Sequence, residues 1–221
     1  MSLQNRDIFA KISADTREAL FAAGEVLEVN KGSLLFDEND EIHALYIVLD
    51  GYVSLFRNSR YGDTKIIFVS AQGEALNETI LEDCRTAIAA KALSECRVLS
   101  VPRTKLPALI AGDNAFAMAL FASMSYKTRR LYHQVGNANR TYPMEKKLAA
   151  KIWKLARDYG RDVEAGRQIG FEITVVMLAY MLGAKRETIS REVSALKKTG
   201  LLVQEDGFLT VTDMGKLREV M

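Results

Sequence analysis

The 221-residue sequence is poor in the residues that build redox and metal centres, with two cysteines, Cys84 and Cys96, and two histidines, His43 and His133. Two cysteines supply neither a disulfide framework nor the four ligands of a zinc or iron–sulfur site. Their expected state is reduced and structural, with a redox pair as the alternative. Two histidines are too few for the ligand set of a metal-dependent β-barrel enzyme, and in separate elements they do not suggest a haem site. No nucleophile–base pair stands out, so no catalytic or metal-binding residue is assigned and the chain is not read as an enzyme. No run approaches the roughly 18 apolar residues of a membrane span. The opening Met1-Ser-Leu-Gln-Asn-Arg-Asp7 lacks the basic start and apolar run of a secretory signal. The expectation is a cytoplasmic protein with no membrane partner.

What is present is unevenly arranged. The net charge is only +2, but from Arg140 onward 15 Lys and Arg stand against 11 Asp and Glu, a net +4, while the remainder is net −2. Residues 7 to 22 (Asp7, Ile8, Ile12, Leu20, Phe21) predict short helices. From about Gly24 turns recur at Lys31-Gly32, Glu38-Asn39-Asp40, Asp50-Gly51, Tyr61-Gly62-Asp63 and Gln72-Gly73. Between them Leu45 to Leu49, Tyr52 to Phe56, Lys65 to Val69 and Cys96 to Val101 read as strands. Short strands at 8 to 12 residue spacing predict a sandwich or barrel.

After Pro102 and Pro107 the pattern is helical to about Asn139. Ala117, Phe121, Met124, Thr128, Leu131, Val135 and Ala138 recur in steps of four and three, the spacing of a coiled-coil seam. That stripe predicts a dimerisation helix about 39 Å long at 1.5 Å per residue; packing on its own domain is the alternative. Asn137 to Pro143 breaks the helix, because Pro143 biases Tyr142 away from helical ψ, and is read as a hinge. Beyond it Leu148, Ile152, Leu155 and Ala156 mark an amphipathic helix, followed by a polar loop, Tyr159 to Gln168.

The strongest signal lies further on. Thr174 is a plausible N-cap for a short helix that buries Leu178, Ala179 and Leu182 and ends at Gly183. A second helix follows, with Ile189, Val193 and Leu196 inward. Opposite them stand Lys185, Arg186, Glu187, Thr188, Ser190 and Arg191. A helix, a glycine turn and a helix with a basic N-terminal face describe a unit that enters the DNA major groove. Arginine can bridge guanine O6 and N7, glutamate can accept from cytosine N4, and lysine or threonine can hold phosphates. Asp206-Gly207 then signals a hairpin, which completes a winged helix-turn-helix. A charged solvent face on an ordinary helical hairpin is the alternative.

With Arg186-Glu187-Thr188 and Arg191 in place, the sequence resembles the Crp/Fnr family of regulators along essentially its whole length. The resemblance implies that Arg186, Glu187 and Arg191 read bases and that the half-sites are similar to TGTGA in an inverted repeat. Val175, Val176 and Met177 stand where relatives carry polar residues that can touch phosphate, which predicts lower backbone affinity. Lys31-Gly32, Asp50-Gly51-Tyr-Val53 and Gly73-Glu74-Ala75-Leu76 also resemble the family's sensor. In cyclic-nucleotide-binding relatives a Gly-Glu element grips the ribose and a later Arg-Ser/Thr-Ala holds the phosphate. Here Arg85-Thr86-Ala87 offers that tripeptide, although alignment back from the strand Ala92 to Val101 puts Thr86 at the arginine position. Val135-Gly136-Asn137 sets Leu131-Tyr132 where cyclic-AMP receptors carry Thr-Ser, so adenine recognition through those hydroxyls is lost. Thr128, Leu131 and Tyr132, with Phe121 and Met124, predict a helix side better suited to an organic acid.

The expected fold class is α+β: an N-terminal cyclic-nucleotide-binding-like β-roll (a jelly roll, residues 1–112), a dimerisation helix (113–139) and a C-terminal winged helix-turn-helix domain (140–221). The expected partners are double-stranded DNA, a small-molecule effector (a cyclic nucleotide or small organic acid), a second copy of the chain, and RNA polymerase as a further candidate. A regulatory module acting on a partner protein is the rival reading.

Overall fold

The computed structural model describes residues 6–60, 62–81, 85–138 and 141–221. Tyr61, Cys84, Asn139 and Arg140, and the side chain of Ala138, lie outside the described residues. Contacts divide the chain into two units, Met1–Arg57 with Ile67–Arg140, and Asn58–Ile66 with Thr141–Met221.

The first unit opens with α1 (Ala14–Ala23), whose N-cap Ser13 accepts a hydrogen bond from the Thr16 amide. Seven strands follow: β1 (Glu25–Val29), β2 (Leu34–Phe36), β3 (Ala44–Asp50), β4 (Val53–Asn58), β5 (Thr64–Ser70), β6 (Ala89–Ala92) and β7 (Cys96–Pro102). They form two sheets, ordered β1-β7-β3 and β2-β6-β4-β5. The period-2 alternation of the strands decides what each side chain meets. Leu45 and Ile47 of β3, and Leu99 and Val101 of β7, join Ile8, Leu20, Leu106, Phe116 and Leu120 in one core. Val48, Cys96 and Val98, from the opposite faces of the same strands, join Phe36, Val53, Leu55, Phe68 and Ala90 in another. One sheet is therefore covered on both sides, by helices and by the other sheet. Where the sequence suggested one strand from Ala92 to Val101, there are two, in different sheets, because residues 93–95 turn the chain between β6 and β7.

α2 (Leu106–Gly112) stops at Asp113, and α3 (Asn114–Ala138) runs for 25 residues. Asp113 Oδ1 accepts from the Ala115 amide, and Oδ2 accepts from the Thr16 hydroxyl at 2.6 Å. A carboxylate thus caps the start of the long helix and ties it to α1.

The second unit contains α4 (Met144–Tyr159), which buries Leu148, Ile152, Leu155 and Ala156 as its spacing predicts. The stretch expected as a polar loop is instead a hairpin, β8 (Gly160–Val163) paired with β9 (Gly166–Ile169). Gly166, at φ 129°, permits the turn, and a side chain there would meet the Val211 carbonyl at 2.3 Å. Ahead lie α5 (Val175–Leu182), α6 (Arg186–Lys198), β10 (Leu202–Glu205), β11 (Phe208–Val211) and α7 (Met214–Glu219). The four strands form one sheet, ordered β10-β11-β9-β8.

Candidate nucleic-acid interface and effector site

In the second unit, the Thr174 side chain accepts from the Met177 amide at 3.1 Å and so starts α5. Gly183 ends it in the left-handed conformation, φ 65° and ψ 45°, and its N–H donates to the Ala179 carbonyl. That turn sets the direction of α6, which begins after Lys185 and buries Ile189, Val193 and Leu196. Lys185, Arg186, Glu187, Ser190 and Arg191 are exposed, and Thr188 is half-buried. Guanidinium, ammonium and carboxylate groups therefore crowd the first turns of α6. The unpaired backbone N–H groups at that end add a positive field.

The wing closes at Glu205 opposite Phe208, with Asp206 at φ 48° and Gly207 at φ 83°. Successive positive φ values are what a two-residue hairpin turn requires. The wing is tied to the preceding helix pair: Gln204 Nε2 donates to the Ile173 carbonyl and Lys197 Nζ to Gln204 Oε1, each at 2.8 Å. In α5, Met177 is buried, so only Val175 and Val176 of the three apolar residues reach the surface. Met181 rather than Leu182 completes the buried face.

In the first unit, Gly73, Glu74, Ala75 and Leu76 are buried and held by β3: Gly73 N–H donates to Val48, and Leu76 N–H donates to Tyr46. Gly73 has φ 81°, and a Cβ there would lie 2.2 Å from Asp7 Oδ1. Glu74 Oε1 meets Arg6 Nη1 at 2.7 Å, both side chains being buried. Burial raises the Glu74 pKa, and the nearby Arg6 and Lys127 charges pull it back only in part. Lys127 donates to the Ala75 carbonyl at 2.8 Å and to Glu78 Oε2 at 2.6 Å, while the Ser123 hydroxyl hydrogen-bonds to Glu78.

Arg6, Glu74, Ser123 and Lys127 line one cavity with Phe68, Val69, Ser70, Tyr126 and Arg130, and the remaining space holds about one water molecule. Of the residues predicted to contact an effector, only Glu74 lines it. Arg85 and Thr86 instead hold the turn at Asp37–Glu41: Arg85 pairs with Glu41, and the Thr86 hydroxyl donates to the Asp37 carbonyl at 2.6 Å. Ala87 is exposed, as are Thr128, Leu131 and Tyr132 on α3. Arg6, Ser123, Tyr126, Lys127 and Arg130 escaped sequence reasoning. The last four have a usable signal, since they recur at helical spacing beside the apolar stripe.

α3 thus has two working faces. One turns Ser123, Lys127, Arg130 and Gln134 toward the β-roll, where Gln134 Nε2 donates to the Ile67 carbonyl. The other leaves Phe121 65%, Tyr132 73% and Val135 72% exposed, with Met118, Met124 and Leu131 open beside them.

Fold and site define the class, a DNA-binding regulator with a cyclic-nucleotide-binding-like sensor and a winged helix-turn-helix. Residues 26–113 match the cyclic nucleotide-binding domain, and residues 146–220 match the Crp-like helix-turn-helix domain. The chain belongs to the Crp/Fnr family of transcription regulators. It is 24% identical over 192 residues to the anaerobic regulatory protein of Pasteurella multocida, covering 87% of this chain and 70% of that one. It is 20% identical over 216 residues to the CRP-like cAMP-activated global transcriptional regulator of Mycobacterium tuberculosis, covering 97% and 96%. Among solved structures, the c-di-GMP responsive global regulator CLP of Xanthomonas campestris shares the fold at a TM-score of 0.74 and 19% identity, covering 91% of this chain and 100% of that one. CooA from Carboxydothermus hydrogenoformans does so at 0.73 and 19%, covering 91% and 89%. Among the described residues no single helix is long and apolar enough to cross a membrane.

Proposed function

We propose that this effector-responsive regulator works in the cytoplasm as a homodimer, without catalytic activity, and reads an inverted repeat through paired α6 helices. The observation that carries the DNA half of this reading is the exposed cluster Lys185, Arg186, Glu187 and Arg191 at the N-terminus of α6, framed by a capped helix, a left-handed glycine and a wing. Arg186, Glu187 and Arg191 contact base edges, and Thr174, Lys185, Thr188 and Ser190 contact phosphates or flanking bases. The open apolar stripe on α3 supports dimerisation, because a row of Phe, Met, Leu and Val at coiled-coil spacing gains stability by pairing with its own copy. The division of labour follows as residues 1–112 for sensing, 113–139 for dimerisation and 140–221 for DNA. RNA polymerase is a further partner.

The effector site lies between the β-roll and α3, around Gly73, Glu74, Ala75 and Leu76; Arg85, Thr86, Ala87, Thr128, Leu131 and Tyr132 stand outside the cavity and become contacts only if effector binding rearranges them. Arg6, Lys127 and Arg130 outnumber the buried carboxylates Glu74 and Glu78 by one, which suits an anion, and the small space favours an organic acid over a cyclic nucleotide. The relatives differ among themselves here, one being cAMP-activated and one c-di-GMP responsive, so no relative's ligand is carried over. Binding shifts the packing of the helix pair and the hinge ending at Pro143, so that two α6 helices come to match successive major grooves about 34 Å apart.

DNA selection from a random pool at fixed salt tests this reading, with and without cyclic AMP and a panel of small organic acids. Recovery of an inverted repeat is expected, with enrichment changing on addition of an acid. No enrichment under any condition sinks the reading and leaves the module acting on a protein partner.

A further inference from the structure

Arg6 is only 5% exposed, although arginine is among the side chains least often buried without a partner. Its guanidinium reaches into the sensor cavity, with Nη1 2.7 Å from Glu74 Oε1 and its carbon 5.1 Å from the centre of the Tyr126 ring. Arg130 lies 5.6 Å from the same ring centre and donates to the Tyr126 hydroxyl at 2.7 Å, which fixes the ring. A carboxylate beside one guanidinium nitrogen and an aromatic ring near the guanidinium carbon are contacts that suit a flat, weakly hydrated guanidinium better than a strongly hydrated ammonium.

The backbone seats this side chain independently. Ile8 N–H donates to the Gly73 carbonyl at 2.8 Å, and the Ile8 side chain is fully buried in the core. Asp7 fills the space a Cβ at Gly73 would take. Arg6–Ile8 is therefore docked by an ion pair, a backbone hydrogen bond and apolar burial. The result joins the Gly73–Leu76 segment, through Glu74, to α3, through Tyr126.

We propose that the sensor cavity is a guanidinium-binding site and that Arg6 is its tethered ligand, carried by the chain itself. An organic acid that enters the cavity must draw Arg6 away from Glu74, so residues 6–8 set which ligands enter. A tether this short gives the guanidinium an effective concentration in the millimolar range or above, so a free guanidinium at low millimolar concentration does not compete in the intact protein. The regulatory consequence, though not the binding, rests on the effector reading given above.

The test is chemical rescue in the full chain, with methylguanidinium as the probe, read by calorimetric titration and thermal unfolding. Arg6→Ala is expected to lower the melting temperature and to take up methylguanidinium saturably, with recovery toward the parent value. The intact protein and Arg6→Ala combined with Glu74→Gln are expected to take up none, and methylammonium to rescue less well. A folded Arg6→Ala that binds no methylguanidinium, or an intact protein that binds it equally well, overturns the proposal. Should Arg6→Ala not fold, labelling of the unaltered protein with phenylglyoxal decides: Arg6 should react more slowly than the exposed Arg186, and equal rates refute docking. DNA affinity measured on the same samples separates the two readings. Methylguanidinium that binds Arg6→Ala without changing DNA affinity upholds the tethered ligand and removes the regulatory role of the cavity.

Discussion

The two units place their functional charges in opposite ways. In the sensor unit Arg6, Glu74, Glu78 and Lys127 lie largely out of water and are matched to one another, at 2.7 Å for Arg6–Glu74 and 2.6 Å for Lys127–Glu78. In the DNA-binding unit Lys185, Arg186, Glu187 and Arg191 stand in solvent on one end of α6. A buried charge needs a partner inside the chain, because its desolvation is otherwise uncompensated. An exposed basic cluster carries no such cost and stays available to a polyanion outside the chain. The sensor unit uses its charges to hold its own conformation, and the DNA-binding unit offers them to a partner.

The largest expected effect comes from breaking the surface the sensor unit leaves open to a partner, the apolar stripe on α3. Phe121→Asp or Leu131→Asp should convert the dimer to a monomer in sedimentation. Affinity for a full inverted repeat should then fall by about a hundredfold or more as the avidity of two half-sites is lost. A dimer unchanged by both substitutions removes α3 from the interface. Next in size is Lys127→Met, which strands the Glu78 carboxylate in the core. It should cost roughly 3 to 5 kcal/mol of stability by denaturant unfolding, with base preference intact in any folded fraction.

Arg186→Ala is the converse. It should cost roughly 1 to 3 kcal/mol of DNA affinity and relax one base position, with the unfolding midpoint unmoved. An unchanged selected sequence would refute the base-reading role. Thermal destabilisation instead would erase the contrast between the units. The smallest effect concerns Asp213, which caps α7: the amides of Gly215 and Lys216 each donate to Oδ1 at 2.9 Å. The Lys216 amide first among several causes holds this carboxyl below its ordinary pKa. A depressed folded-state value means the stabilisation is present above the unfolded pKa and lost as pH falls through the folded one. The stability gap between the parent and Asp213→Asn should therefore be constant at neutral pH and close only below roughly pH 4. A gap that closes at higher pH would assign the cap to another group.

How far the sequence could be read follows the same division. The helix-turn-helix was legible because its determinants are local. Thr174 caps, Gly183 turns, the apolar residues of α6 recur every third or fourth position, and Asp206-Gly207 makes the wing turn. Of the β-roll strands, β3, β4, β5 and β7 were legible from alternation and turn residues, whereas β6 was merged with β7. The β8–β9 hairpin was missed because its four-residue strands are mostly polar and lack an alternating pattern, and it joins a larger sheet only through the distant β11. In the effector site, Glu74 could be read from its Gly-Glu setting. The cavity's other charged members come from sequence positions 50 to 70 residues away, and no local pattern links Arg6 to Tyr126.

By itself, then, the sequence determined the helix-turn-helix, the exposed polar face of α6 and the apolar stripe of α3, since each depends on periodicity and capping within one segment. Only the tertiary structure decided which charges meet in the sensor cavity and that Arg6 is among them. Burial of a charge is settled by the partner that long-range packing brings to it, and that partner is not written in the neighbouring residues.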